Sequence, residues 1–339
     1  MDYVNLPKTG LTLSSLGMGT VPITTRVETD KRADILRSVK DMGVNWFDTA
    51  RAYGDGEAML GQAFQGVRDE VVLISKAGGG DPEELEVDIN ETLTNLKSDY
   101  LDIFLFHGGW AMEQENFLAP GGTLEVAEKA RQAGKIRFLG FSAHSVEVAL
   151  LGTKTEWFDF AMVPANLIST QYIEGEFMTE ARSRSIAVIA MKPFGGGRIK
   201  NARLCLKFLK RFPDVIPCVG IERADEMKEN LECWEDGREL NENDRLEMER
   251  IRIELGDHFC RQCGYCEPCP QEIDIMMMNL MEAWASAFSK EWLASAGSGM
   301  IEQARKCTEC RKCVERCPYD LPIPEMLKEN IALFEKATQ

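Results

Sequence analysis

Residues 71–107 read VVLISKAGGGDPEELEVDINETLTNLKSDYLDIFLFH, and this stretch decides the fold. It opens on Val71–Ala77, a short run of β-branched and apolar residues with almost no polar alternation. Such a run is a strand buried on both faces, as parallel sheets require. Asp81-Pro82 then signals a helix start, because aspartate caps the free N–H groups and proline suits the first helical position. An amphipathic stretch, Pro82–Leu96, follows, and Leu101–His107 is a second apolar strand. The unit is strand, helix, parallel strand.

The same unit recurs in both directions. Candidate strands are Ser15–Thr20, Trp46–Ala50, Val71–Ala77, Leu101–His107, Ile136–Ser142, Phe158–Pro164, Ala187–Lys192 and Val215–Ile221. Candidate helices between and after them are Thr29–Met42, Gly56–Gln65, Pro82–Leu96, Gly122–Ala133, Ser145–Leu151, Glu174–Arg184, Ala202–Lys210 and Ala224–Trp234. Eight parallel strands close a barrel. An open doubly wound sheet would show a glycine fingerprint after its first strand, and Gly17-Met18-Gly19 does not extend to one. The expected fold class is therefore α/β, with a (β/α)₈ TIM barrel over residues 1–235. A charged helical linker is expected over 236–256 and a small, mainly helical, cysteine-bearing domain over 257–339.

Composition narrows the function. The net charge of -16 argues against nucleic acid and anionic membranes as partners, since both need basic patches. No apolar run is long enough for a membrane span, and MDYVNLPKTGLTLSSLG does not read as a signal peptide. Of the 11 cysteines, Cys205, Cys218 and Cys233 are scattered, while the others lie between Cys260 and Cys317. Regular spacing in a long chain without a signal points to metal ligation in a reducing, cytoplasmic setting, not to disulfides.

The first run is Cys260-x₂-Cys263-x₂-Cys266-x₂-Cys269-Pro270 and the second Cys307-x₂-Cys310-x₂-Cys313-x₃-Cys317-Pro318. Zinc favours two CxxC pairs, whereas each run here has four consecutive ligands, which suit iron–sulfur cubanes. The segment resembles the bacterial-type dicluster ferredoxins, with the helical insert of α-helical ferredoxin modules. In that pattern the fourth cysteine of each run ligates the other cluster. The resemblance thus implies one [4Fe–4S] cluster on Cys260, Cys263, Cys266 and Cys317, and another on Cys307, Cys310, Cys313 and Cys269. The first run departs from the pattern by having x₂ before its last cysteine, which bears on Cys269 above all.

In the barrel region, polar residues stand at the ends of successive strands, the face where barrel enzymes place their active sites. Asp48 and Tyr53 follow the second strand, Lys76 ends the third and His107 the fourth. Taken singly, each has an ordinary structural explanation. Together they match a family. Residues 1–235 look like an aldo-keto reductase: FDTARAYGDGEAMLGQAF, residues 47–64, resembles its strand-two signature through Tyr53, Gly54, Glu57, Leu60 and Gly61. The Gly140–Ser142 step and the Glu229-Asn230 pair also match.

This resemblance implies an oxidoreductase with the tetrad Asp48, Tyr53, Lys76 and His107. Hydride attack on a carbonyl leaves an oxyanion that needs a proton, which Tyr53 would supply. Lys76 is expected to lower the phenol's pKa, Asp48 to orient Lys76, and His107 to donate to the carbonyl oxygen. It also implies a nicotinamide site with Ser142, Asn166, Gly195, Gly196, Gly220, Glu229 and Asn230. Departures weaken that site. The family's Ser-Asn pair is Ser142-Ala143, a later Gln is Met162, and the stacking aromatic is Met191, which Asn166 partly offsets. Where NADPH-preferring relatives carry a Lys-Ser step and an Arg, this chain has Gly220-Ile221 and Glu226, so NAD(P)H is expected without NADPH preference.

A nicotinamide passes two electrons and a [4Fe–4S] cluster one, so direct coupling needs a converter. A flavin stays open, since barrels bind flavin phosphate without a short motif. Three readings follow: clusters that supply or accept electrons for chemistry on a small-molecule carbonyl or related substrate, with a redox partner protein; a hydride-transfer enzyme with structural clusters; or a non-enzymatic electron-transfer or redox-sensing module.

Overall fold

The computed structural model describes residues 1–6, 8–256, 258–260, 266–287, 289–317 and 319–339. Strands β1 (Tyr3–Leu6) and β2 (Leu11–Ser14) form an antiparallel hairpin. Then follow β3 (Gly17–Gly19), α1 (Val21–Arg26), α2 (Thr29–Asp41), β4 (Trp46–Asp48), α3 (Gly56–Ala63), β5 (Val72–Ala77), α4 (Pro82–Leu96), β6 (Leu101–Phe106), α5 (Thr123–Gln132), β7 (Ile136–Ser142), α6 (Val146–Thr153), β8 (Phe160–Pro164), α7 (Glu176–Ser183), β9 (Ala187–Met191), α8 (Ala202–Leu209), β10 (Val215–Gly220) and α9 (Ala224–Glu235). Strands β3 to β10 are parallel neighbours in chain order, and β10 pairs back onto β3 through Cys218↔Gly17 and Gly220↔Gly19, closing the barrel. Each of the eight expected strands is present within two residues of its expected ends. The β1–β2 hairpin and α1 were not among the expectations.

Local chemistry sets the boundaries. Asp81 accepts a hydrogen bond from Glu84 N at 2.9 Å and Pro82 follows it, so α4 starts where the dipeptide signals. Ser145 caps α6 through Val148 N at 3.1 Å, and Asn201 caps α8 through Leu204 N at 3.0 Å. The barrel interior is filled, not open. Trp46, Val72, Ile74, Ile103, Leu105, Phe160, Met162, Ile189, Ile216 and Cys218 pack together, with Leu11 and Leu13 of the hairpin against them. Gly17 makes room for Trp46: a Cβ there would stand 1.9 Å from the indole ring. At the start of β6, Asp102 is buried and holds Arg68 at 2.7 Å, Arg137 at 2.6 Å and Leu73 N at 3.0 Å. That ion cluster ties neighbouring strands at the N-terminal end and leaves the C-terminal end for chemistry.

The chain divides into two compact units, Met1–Gly195 with Lys200–Leu240, and Gly196–Ile199 with Asn241–Gln339. The charged stretch 236–256 is split between them, and its helical part, α10 (Glu242–Gly256), belongs to the second unit. That unit continues with α11 (Ile275–Met278), α12 (Met281–Ala287), α13 (Lys290–Ala304), α14 (Lys312–Glu315) and α15 (Ile323–Thr338). Leu293, Gly297, Ile301 and Ala304 give α13 one buried face. Gly297 lets α15 approach, since a Cβ there would meet the Phe334 ring at 2.5 Å. Among the described residues no helix is long and apolar enough to cross a membrane.

Candidate functional site

The four expected catalytic residues meet at one mouth of the barrel. Asp48 ends β4 and Lys76 lies in β5, both buried. Lys76 Nζ is 2.7 Å from Asp48 Oδ1, and donates to Asp48 Oδ2 and to the Thr49 carbonyl, each at 2.8 Å. The ammonium also lies 4.9 Å from the centre of the Tyr53 ring. Tyr53 and His107 face each other edge to face, with ring centres 5.7 Å apart.

The loop that carries Tyr53 is held by the signature motif itself. Glu57 is buried, and its carboxylate accepts from Arg51 (3.0 Å), Ser75 Oγ (2.6 Å), Thr92 Oγ1 (2.7 Å) and Asn95 Nδ2 (3.0 Å). Arg51 binds Asp88 at 3.1 Å and pairs with Glu91, while its backbone N–H reaches Lys76 O at 2.9 Å. A buried carboxylate is stable only when it is satisfied in this way. The network fixes the loop between β4 and α3 to β5 and α4, and so fixes where the phenol points.

Burial works against every charge here. It pushes Asp48 up, against Lys76. It would pull Lys76 down, but Asp48 and Tyr53 outweigh it and the ammonium is held above its usual range. Contact with both carboxylate oxygens and the Thr49 carbonyl favours the ion pair. Tyr53 departs from the sequence expectation: burial raises its pKa, and the opposing pull of Lys76 does not overcome this. Burial, then Lys76, depresses His107 to about 3. The site as it stands holds a protonated phenol, an ammonium and a neutral imidazole.

That last point carries a stability prediction. Unfolded, His107 takes a proton near pH 6.5; folded, it does so only near 3. Between those values the unfolded chain binds the extra proton, so stability falls with falling pH, by up to about 1.4 kcal/mol per pH unit. His144, whose pKa burial also lowers well below 6.5, adds to the same slope. Urea midpoints should fall from pH 7 to pH 5, and less so in His107→Gln. An equal, flat response in both would show that His107 titrates alike in the folded and unfolded chain.

The expected nucleotide residues, except Gly196, which falls in the second unit, lie on the other arc of the barrel. Ser142 ends β7 and accepts from Gly108 N at 2.9 Å. Asn166, just past β8, is committed to its own loop and the next: Oδ1 accepts from Ile168 N (2.9 Å) and Ser169 N (2.8 Å), and Nδ2 donates to Lys192 O, past β9, at 3.0 Å. One amide N–H remains for a ligand. Gly195 and Gly196 turn after β9 with φ of 58° and 68°. Gly220 ends β10 beside Pro22, whose Cγ a Cβ would meet at 2.7 Å. On α9, Asn230 is buried and Glu229 exposed. Met162 fills the barrel interior, and Met191 packs against it.

Sequence reading missed two neighbours of the tetrad. His144 stands two residues past β7, with its Nδ1 buried and without a hydrogen-bond partner, and the charges of Lys192 and Lys76 act on it. Cys218 in β10 is buried, and Asp48 and Lys76 both act on its thiol. The signal for His144 was present: it is one of three histidines and follows a strand end.

In the second unit, Cys269, Cys307, Cys310 and Cys313 line one cavity, edged by Arg311 and Arg316. Cys266 and Cys317 are buried in the unit's apolar core, and Cys260 packs against that core. Cys263 lies outside the described residues. Arg316 joins the two runs, donating to Glu267 O at 3.0 Å and Pro268 O at 3.1 Å. Backbone φ is positive at Glu309 (54°) and Arg311 (58°), on either side of Cys310. Among the described residues no three His, Cys, Asp or Glu side chains gather closely enough for one bare ion. Thiols around a cavity suit a multi-iron core better than zinc, whose sulfurs sit at about 2.3 Å from a single point.

The model of the aldo/keto reductase family matches residues 15–207, and the chain belongs to that family. The model of a 4Fe-4S dicluster domain matches residues 259–321. Two Bacillus subtilis relatives are the uncharacterized oxidoreductase YqkF, 28% identical over 208 residues (57% of this chain, 65% of that protein), and the aldo-keto reductase YhdN, 31% identical over 165 residues (43% and 48%). The chain thus spans 65% and 48% of their lengths. An aldo-keto reductase from Klebsiella pneumoniae, solved in complex with NADP and acetate, shares the fold with a TM-score of 0.62 at 23% identity, over 74% of this chain and 94% of that one.

Proposed function

We propose that this protein reduces, or in reverse oxidises, a carbonyl or related group of a small molecule at the barrel mouth, while two [4Fe–4S] clusters on the C-terminal cysteines exchange electrons with a partner. The observation that carries this reading is Lys76 bound to both oxygens of Asp48 beside Tyr53, with His107 facing the phenol. When bound, a nicotinamide would supply hydride, and the clusters would supply single electrons that reach a two-electron reaction only through a converter such as a flavin. Ser142, the remaining N–H of Asn166 and the partnerless Nδ1 of His144 are the polar groups that would hold the nicotinamide. The eight run cysteines would hold the clusters, Cys269, Cys307, Cys310 and Cys313 around the shared cavity.

The chain's own groups divide the remaining work. Tyr53 holds a proton at its hydroxyl and delivers it to the substrate oxygen. Lys76 steadies the phenolate that remains, and Asp48 with the Thr49 carbonyl fixes Lys76. His107, neutral at working pH, donates one hydrogen bond that orients the carbonyl. Anaerobic assays with NADH, NADPH and a panel of aldehydes and ketones test the reading. Turnover of none of them, with iron intact, would count against it and favour a flavin or direct electron delivery.

The nucleotide preference follows from α9. Glu226 accepts from Glu222 N at 2.8 Å, and Arg223 is occupied by Asp225 (3.0 Å) and Glu226 (2.9 Å). A 2′-phosphate placed there meets a carboxylate and a guanidinium already neutralised. NADPH should therefore bind no more tightly than NADH, and both weakly, in fluorescence titrations. Tenfold selectivity for NADPH would show that this loop is not the phosphate site.

A structural role for the clusters is the second reading, favoured by the way Cys266 and Cys317 sit inside the apolar core. A reduction potential below that of any physiological donor would support it.

A further inference from the structure

Among the described cysteines, Cys310 alone is exposed. Its surroundings are basic in a protein of net -16: residues 303–317 carry five basic and two acidic side chains, and with their ion-pair partners Glu325, Glu335 and Lys328 the surface has six basic and four acidic groups, net +2 with the cysteines counted as neutral thiols. Arg305, Lys306, Arg311 and Lys312 are all exposed. Arg305 pairs with Glu335, Arg311 with Glu325 at 3.0 Å, and Glu309, the acid beside Cys310, with Lys328 at 2.7 Å. Lys306 donates to Gln303 Oε1 at 2.7 Å. Neither Lys306 nor Lys312 has a carboxylate partner among the described residues.

We propose that this surface, centred on Cys310 and presented through Lys306 and Lys312, docks an acidic one-electron carrier protein. The proposal rests on the reading of the second cysteine run as cluster ligands. Electrons cross between proteins where a redox centre comes closest to the surface, and the cavity lined by Cys269, Cys307, Cys310 and Cys313 opens towards solvent at Cys310. An acidic carrier is repelled by most of a protein of net charge -16 and attracted here, so the field both speeds encounter and sets orientation. In the transfer the carrier loses one electron and the cluster gains it, or the reverse. No bond forms or breaks, and no proton is needed.

The test uses the full chain and flavodoxin, an acidic FMN protein, as the probe. Binding of oxidised flavodoxin is followed by calorimetry at low and high salt, and electron transfer from reduced flavodoxin by stopped flow. Exposed charges are screened beyond about 10 Å at 0.1 M salt, so binding should weaken as salt rises. Lys306→Glu with Lys312→Glu should weaken it by about tenfold or more at low salt and flatten the salt dependence, with iron content and visible spectrum unchanged. Reduction by the methyl viologen radical cation should not slow in the variant. Should the glutamates cost iron, Lys306→Gln with Lys312→Gln should show a smaller shift of the same sign with iron retained. A dissociation constant that neither the substitutions nor salt can move would overturn the docking site. Wild-type protein that binds no iron would overturn the cluster reading beneath it.

Discussion

Tyr53→Phe should lower carbonyl reduction by about 10²- to 10⁴-fold, the usual contribution of a positioned general acid. The substitution removes one hydroxyl and little else. The ring is held by its loop, and that loop is anchored through Glu57 and Arg51 to β5 and α4, not through the phenol. Fold, iron content and nucleotide affinity should therefore stay as in the wild type, and the loss should fall on kcat. The raised pKa of Tyr53 adds a pH signature. Reduction needs the protonated phenol, so its rate should hold through neutral pH and fall only as pH rises past the phenol's value, above the ordinary 10. Oxidation of an alcohol needs the phenolate and should rise with pH over the same range. His107 should contribute no inflection between pH 5 and 8, because its proton is lost near 3. Wild-type turnover in the phenylalanine variant would remove Tyr53 from the chemistry.

Most of the eight barrel strands were legible as apolar runs ended by glycine, proline or a cap, β3 (Gly17–Gly19) and β4 (Trp46–Asp48) being the short exceptions, and α4 runs between the expected residues, Pro82 and Leu96. The hairpin of β1 and β2 was missed although Pro7 and Gly10 (φ 69° at the glycine) are turn signals in the sequence between its strands, because each strand is only four residues long. Its end is held by Asn45 and Trp46, through Ser14 N to Asn45 Oδ1 at 2.7 Å and Trp46 Nε1 to Ser14 O at 2.9 Å. Strand ends announced Asp48, Lys76 and His107. They could not announce the balance of forces among them, since Lys76 beside Tyr53 is a fact of sequence pattern, while the burial that outweighs it is a fact of packing. The same limit applied to Asn166. Its side chain suits a carboxamide on paper, yet two hydrogen bonds tie it to its own loop and a third to Lys192 O past β9. His144 sits two residues beyond a strand, and its nearness to Lys76 arises only when β5 and β7 are curved into one barrel mouth.

Removing iron should unfold the second unit and spare the first. The apolar core of residues 241–339 is built around its cysteines, with Cys266 and Cys317 inside it and Cys260, Cys269, Cys307 and Cys313 packed against it. Emptied of a cluster, the cavity lined by Cys269, Cys307, Cys310 and Cys313 leaves Ile273, Ile275 and Leu327 facing an unfilled space. Binding energy at a site absent from the unfolded chain is folding energy, which for small metal domains decides whether they fold at all. On the two-cluster assignment, anaerobic protein should be brown with about eight irons per chain. Cys310→Ser should retain about four, because it removes one ligand from one cluster. Chelation of all iron should expose sites after residue 241 to protease and abolish the helical signal of α11 to α15, while the barrel, which has its own core around Trp46 and Phe160, unfolds at its former midpoint. Colourless protein with one zinc per run would overturn the assignment. A second unit that resists protease without iron would leave its helices, with Gly297 packed on Phe334, as the true source of its stability.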